Sequence, residues 1–111
     1  MENNVFLQQG ESFAVPVQLS QDGIALTVDM LEELEIRVGV DITRRLSNGD
    51  IYLGEDAGTY YFIPTQEETL AMKPGRYLVG VRVKYPGIPP SVNIEPIGII
   101  TILPSNFREV I

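Results

Sequence analysis

Apolar and polar residues alternate along this chain with period two, in short segments cut by Gly, Pro, Asn and Asp. That pattern constrains the fold more than any other feature. Successive side chains of a strand point to opposite faces, whereas a helix repeats about every 3.6 residues. Phe13, Val15, Val17 and Leu19 fall on one face, with Ala14, Pro16, Gln18 and Ser20 on the other. From Leu34 the alternation recurs. Leu34, Ile36, Val38, Val40 and Ile42 are expected inward; Glu35, Arg37, Gly39 and Asp41 are expected outward. Arg76 to Tyr85 repeats it, with Tyr77, Val79, Val81, Val83 and Tyr85 inward. Polar outer faces argue against parallel strands, which are covered on both sides.

Turn chemistry sets the lengths. Asp22-Gly23 predicts a turn, and Ser47-Asn48-Gly49-Asp50 predicts a hairpin, because Asn-Gly tolerates positive φ at both central positions. Pro16 cannot donate to a ladder, so its strand lies at an edge or is bulged. Ile24 to Met30 reads as a short strand, and the acidic stretch Asp29 to Glu35 as a helical turn. Asp50 to Leu53 and the strand formers of Thr59 to Pro64 follow. Thr65 and Glu68 spell a capping box, predicting one or two helical turns over Thr65 to Met72, ended by Pro74-Gly75. Pro86 to Pro90 is a rigid loop, and Val92 to Leu103 is the last strand, bulged near Pro96 to Gly98. The expectation is an all-β fold. It is an antiparallel β-sandwich of about seven strands with one short helical turn, in a single domain spanning residues 1–111.

Composition narrows the function. The chain has no Cys, which removes disulfides, thiolate zinc sites and a thiol nucleophile. It has no His, which removes the usual general base near neutral pH. A net charge of −7 repels phosphate backbones, so no nucleic-acid partner is expected. No catalytic residue, cofactor or metal is predicted, and the chain is read as not an enzyme. Asp29, Glu32, Glu33 and Glu35, and also Asp50 with Glu55 and Asp56, offer oxygen ligands of the kind calcium takes. They lack the Gly-punctuated spacing of a dedicated loop and are read as solvated or salt-bridged edges. The longest apolar run near the C-terminus, Ile97 to Leu103, falls far short of the ~20 residues of a spanning helix, so no membrane partner is expected. The N-terminus lacks the basic start and apolar run of a signal peptide, which predicts a chain made soluble in the cytoplasm.

Several residues stand out as contacts. Glu33, Glu35 and Asp41 oppose Arg76, Arg82 and Lys84 in charge. If their strands are neighbours they form cross-strand ion pairs; if not, each is a docking face. Tyr60 and Tyr61 point to opposite faces of one strand, so one of them, with Tyr52, is an outward aromatic able to hold a sugar ring or a protein partner. The termini, residues 1–9 and 104–111, carry Phe6 and then Phe107, Val110 and Ile111, which a free polar tail would not need. They dock on a neighbouring subunit or fold back on their own domain, and the N-terminal one is suited to adding an edge strand. Ile88 sits at the tip of the proline loop. Phe6, Ile88, Phe107, Val110 and Ile111 are therefore the candidate partner contacts.

Leu70 to Tyr77 is the most informative stretch. In immunoglobulin-like sandwiches a Tyr near the start of the sixth strand bonds backbone a few residues upstream and pins the crossover between sheets. Here a capped turn, Pro74-Gly75, and Tyr77 opening a Val-rich strand suit such a corner; the plainer reading of Tyr77 is a core aromatic. At this point the chain resembles the immunoglobulin-like domains of bacteriophage tail and baseplate proteins, including the N-terminal domain of baseplate upper proteins. The resemblance rests on Phe13 to Leu19, Asp22-Gly23, Thr65 to Thr69, Pro74 to Tyr77 and Gly98 to Ile102, in that order. It implies a virion structural or assembly module of the tail, baseplate or capsid surface, located in the virion. Its partners would be other virion proteins or further copies of itself, in a homo-oligomer or a larger assembly. The alternative is a carbohydrate- or receptor-binding module working through the exposed tyrosines.

Overall fold

A computed structural model describes residues 3–111. Among these, β1 (Asn3–Gln8), β2 (Val15–Gln18), β3 (Ser20–Gln21), β4 (Ile24–Ala25), β5 (Glu33–Val38), β6 (Ile42–Arg45), β7 (Tyr52–Leu53), β8 (Thr59–Phe62), β9 (Gly75–Tyr85) and β10 (Ser91–Leu103) surround one short helix, α1 (Gln66–Ala71). The fold is all-β. Five strands form one sheet in the order β1-β10-β9-β5-β6; a second runs β2-β8-β7, and β3-β4 is a separate hairpin. All pairs are antiparallel except β1 with β10, which run parallel. That pair departs from the antiparallel expectation. It arises because the N-terminal residues add an edge strand to their own sheet, from Asn3 opposite Gly98 to Gln8 opposite Leu103.

The two sheets share one apolar cluster. Leu34, Ile36, Val38, Val81 and Ile100 come from the first sheet, and Val17, Tyr60 and Phe62 from the second. Fully burying a side chain such as Phe62 contributes about 1.5–3 kcal/mol. The Tyr60 hydroxyl enters this core because it donates to the Leu26 carbonyl at 2.7 Å, which removes the cost of an unpaired polar group.

Local chemistry sets the element ends. Thr65 Oγ1 accepts from the Glu68 N–H at 3.1 Å while the Glu68 carboxylate accepts from the Thr65 N–H at 2.8 Å, closing the expected capping box on α1. Asp22 and Gly23 both take positive φ, 53° and 78°, and turn β3 into β4. The ladder between β9 and β10 slips between Pro96 and Gly98. That bulge changes the parity of the strand. Before it, Val92 and Ile94 lie opposite Lys84 and Arg82 on the outer face; after it, Ile100 and Ile102 turn inward and are buried.

Several expectations are corrected. Among the described residues there are ten strands, because β1 joins the first sheet, Ser20–Gln21 separates from β2, and the turn at Gly39 divides the 34–42 run into β5 and β6. Val40 is fully exposed: β5 ends at Val38, and the turn at Gly39 ends the alternation before Ile42 re-enters the core. Phe13 is exposed because β2 begins only at Val15. Asn48-Gly49 does not close a hairpin, since β6 and β7 belong to different sheets. Gly49 instead takes a left-handed conformation (φ 77°) to end a 3-10 turn over Leu46–Asn48. The acidic stretch is helical only as a 3-10 turn over Val28–Met30, and Glu33 to Glu35 already belong to β5. Glu35 faces outward and is nevertheless buried, for a reason that lies in its neighbours.

Candidate interaction surface

The outer face of the five-stranded sheet carries the densest chemistry on the described chain. Register builds it. Val38 pairs with Ile42 across the β5–β6 turn, so Glu35 falls opposite Arg45; β9 on the other side places Arg82 opposite Glu35. Arg37 is two residues along the same strand. Arg82 approaches one Glu35 oxygen with Nη2 at 2.6 Å and Nε at 2.8 Å, and Arg45 Nε donates to the other at 3.0 Å. Arg37 Nε completes the ring at 3.5 Å. These side chains cover the carboxylate, leaving Glu35 only 4 % exposed while each guanidinium is about half exposed. Burial pushes the Glu35 carboxyl up. The hydrogen bonds from Arg45 and Arg82, with the charges of Arg82 and Arg37, outweigh it and hold the group below the usual carboxylate range. Arg37, Arg45, Arg82 and Lys84 stand against Glu32, Glu33 and Glu35 on this face, which leaves it one positive charge in surplus on a chain whose net charge is −7.

An aliphatic row borders this cluster. On the outer face β10 presents Val92 and Ile94 beside the cluster; the row continues past Leu78 of β9 to Leu103 and Phe6 of β1, roughly 30 Å further along the strand, and all five are exposed. Gly80 lies between Arg82 and Leu78 with no side chain, so a shallow depression opens between Arg37, Arg82 and Ile94. A Cβ there would meet only the Glu95 carbonyl, at 3.6 Å. Lys84 pairs with Glu32 at 3.5 Å at the end of the same face.

The strand-neighbour reading of the charged residues therefore holds for Glu35 with Arg82. Glu33 lies opposite Lys84 but spends its carboxylate on Ser47 and on the Leu34 N–H. Asp41 sits in the β5–β6 turn, and Arg76 lies opposite Thr101, outside the cluster. Sequence reasoning passed over Arg45. Its signal was the tight turn at Gly39–Asp41, which counts back from Val38 and Ile42 to Glu35 and Arg45.

The five candidate contacts are not gathered in one place. Phe6 lies on this face, 62 % exposed, on a strand opposite Thr101. Ile88 is fully exposed beyond Tyr85, at the far end of the β9–β10 hairpin. At about 3.3 Å per residue, the ten residues of β10 between Ser91 and Thr101 put these two roughly 30 Å apart. Phe107, Val110 and Ile111 are exposed on a tail without regular structure, whose last N–H donates to Gln66 Oε1 of α1 at 3.2 Å. Within the N-terminal docking segment, Met1 and Glu2 lie outside the described residues, while Asn3 to Gln8 pair with β10 of the same chain.

Two further features are structural. The Tyr77 hydroxyl donates to the Lys73 carbonyl at 2.6 Å, four residues upstream and across the turn that leads from α1 into β9. Tyr52 and Tyr61 stack on the outer face of the second sheet, with ring centroids 5.2 Å apart, while Tyr60 points into the core. The acidic residues weighed for calcium turn to separate partners: Glu35 to arginines, Glu33 to Ser47, Glu32 to Lys84 and Asp29 to Thr27. Among the described residues no helix is long and apolar enough to cross a membrane. Comparison with protein families, with characterised proteins and with solved structures finds no match to this chain.

Proposed function

We propose that this chain is an immunoglobulin-like assembly module of a bacteriophage particle, a non-enzymatic component of its tail, baseplate or capsid surface that acts through protein–protein contacts. One observation carries the contact role: a broad sheet face that sets exposed aliphatic side chains beside a preorganised arginine cluster. Exposed apolar side chains next to arginine match the composition of a protein interface. Arginine held by a neighbouring carboxylate loses little freedom on binding, so the face is ready to dock.

The immunoglobulin-like reading is supported by strand order. The sheet β2-β8-β7 corresponds to strands B, E and D of that fold, and β6-β5-β9-β10 to C′, C, F and G. On this reading Tyr77 opens strand F and its bond to Lys73 is the corner. The particle assignment rests on the resemblance drawn from Phe13–Leu19, Thr65–Thr69 and Pro74–Tyr77.

The test is to purify particles released from host cells that carry the gene, band them by density, and quantify this chain by mass spectrometry. The reading expects a fixed ratio of this chain to the major capsid protein across the band. Absence of the chain from banded particles would overturn it. The Tyr52–Tyr61 stack supports a second reading, a carbohydrate- or receptor-binding module. That reading expects glycan-array binding that disappears in Tyr52→Ala.

A further inference from the structure

We infer that the cationic face of the five-stranded sheet docks head to tail on the acidic end of a second copy of the same chain. This inference rests on the assembly reading and names its partner. Charge complementarity selects the occupant. The face keeps one positive charge in surplus, with three half-exposed guanidiniums around Glu35, whereas the chain as a whole carries −7, so the rest of a second copy is strongly negative. Two such faces set against each other would oppose like charges, which disfavours a two-fold dimer through this surface.

A complementary surface exists elsewhere on the same molecule. The β7–β8 loop and the 3-10 turn at Val28–Met30 enclose a shallow depression that Thr27, Val28, Leu53, Glu55 and Asp56 help to line, with no Lys or Arg on its rim. Asp29 lies on the same turn. Val28, Met30 and Leu53 are exposed there, so the patch is apolar as well as acidic. Both patches thus pair aliphatic side chains with charge, and the charges are opposite. They belong to different sheets, so the contact is between unlike surfaces, and unlike surfaces propagate into a ring or a filament.

The experiment is sedimentation velocity on the full chain from about 10 μM to 1 mM, at low salt and again at ~0.5 M salt, where screening shortens to a few ångströms. The expected result is a mass that climbs past dimer with concentration and returns to monomer in salt. Two variants then separate the surfaces. Ile94→Glu places a carboxylate opposite Arg82 and cancels surplus charge on the face. Glu55→Lys with Asp56→Lys reverses the end. Each variant alone is expected to be monomeric, with an unchanged circular dichroism spectrum. Mixed in equal amounts they form a 1:1 heterodimer and nothing larger, because each keeps one intact surface. Should Ile94→Glu fail to fold, the exposed Leu78→Ser serves in its place. A wild type that stays monomeric at every concentration, or a mixture that forms no complex, overturns the head-to-tail contact. Either result leaves the particle-component reading intact, since that reading stands or falls on the banded particles.

Discussion

Tyr77 shows how one hydroxyl fixes a crossover. α1 belongs to the connection between the sheets, and β9 must start at a set place to align its inward valines. The bond from Tyr77 to the Lys73 carbonyl ties those two requirements together. Tyr77→Phe keeps the ring and removes only this bond. It is expected to cost about 1 kcal/mol, the usual net value of one hydrogen bond, read from urea unfolding. A loss under ~0.5 kcal/mol would reduce Tyr77 to a core aromatic. Thr69 is the comparable residue that sequence reasoning missed. It is fully buried, donates to the Glu11 carbonyl at 2.9 Å and accepts from the Gly10 N–H at 3.0 Å, holding the β1–β2 turn against α1. Nothing local distinguishes Thr69 from an exposed helical threonine, because its partners lie almost sixty residues away.

At the scale of elements, α1 is too short to persist without its cap and its cross-link. Glu68 supplies both. It closes the capping box with Thr65 and takes a two-pronged ion pair from Arg44 of β6, at 2.6 and 3.0 Å. Glu68→Ala removes both and is expected to destabilise the chain by about 1–2 kcal/mol, measured by thermal or urea unfolding. The capping box was legible from Thr65 and Glu68 alone, because it is local; the Arg44 partner was not. The bulge in β10 is a second element-scale device. Deleting Ile97 would remove the extra residue and leave Gly98 opposite Val79 and Ile100 opposite Tyr77, so Ile100 and Ile102 would stay buried in a regular ladder. The expected outcome is a chain that keeps a cooperative unfolding transition, followed by circular dichroism; loss of that transition would mean that the bulge itself is needed for the sheets to pack.

Across the whole molecule, three carboxyls link stability to pH. For Glu33, Glu35 and Glu68 burial pushes the pKa up, and the donors facing each one outweigh it: Ser47 and the Leu34 N–H, Arg45 and Arg82, and Arg44 with Thr65. Each group therefore titrates lower in the folded chain than in the unfolded one. As pH falls the unfolded chain takes up protons first, so stability is complete above about pH 5 and declines below the ordinary glutamate value of ~4.3. Urea midpoints measured from pH 7 down to pH 2.5 should stay level and then drop. Glu35→Gln should flatten part of that drop. Net charge acts against that drop only above the isoelectric point near 4.4, where a chain at −7 loses repulsion as it protonates; below it the eight Lys and Arg repel one another and add to the drop, so the difference between wild type and Glu35→Gln isolates the share of this carboxyl.

The sequence by itself determined what local physics controls. Period-two alternation required strands, Asp22-Gly23 required a tight turn, Thr65 and Glu68 required a capped helix, and Pro96 to Gly98 marked a break in the last strand. Missing Cys and His narrowed the chemistry before any fold was known. The tertiary structure decided which strands are neighbours, and with that the interaction surface. Glu35, Arg45 and Arg82 are separated by 10 and 37 residues along the chain, and Arg82 meets Glu35 only because β9 inserts between β10 and β5. The same long-range pairing made Asn48-Gly49 a crossing between sheets rather than a hairpin, since β6 and β7 each found a better partner elsewhere. Alternation says which side chains share a face of one strand; which faces meet depends on contacts whose entropic cost is met only when the whole core closes.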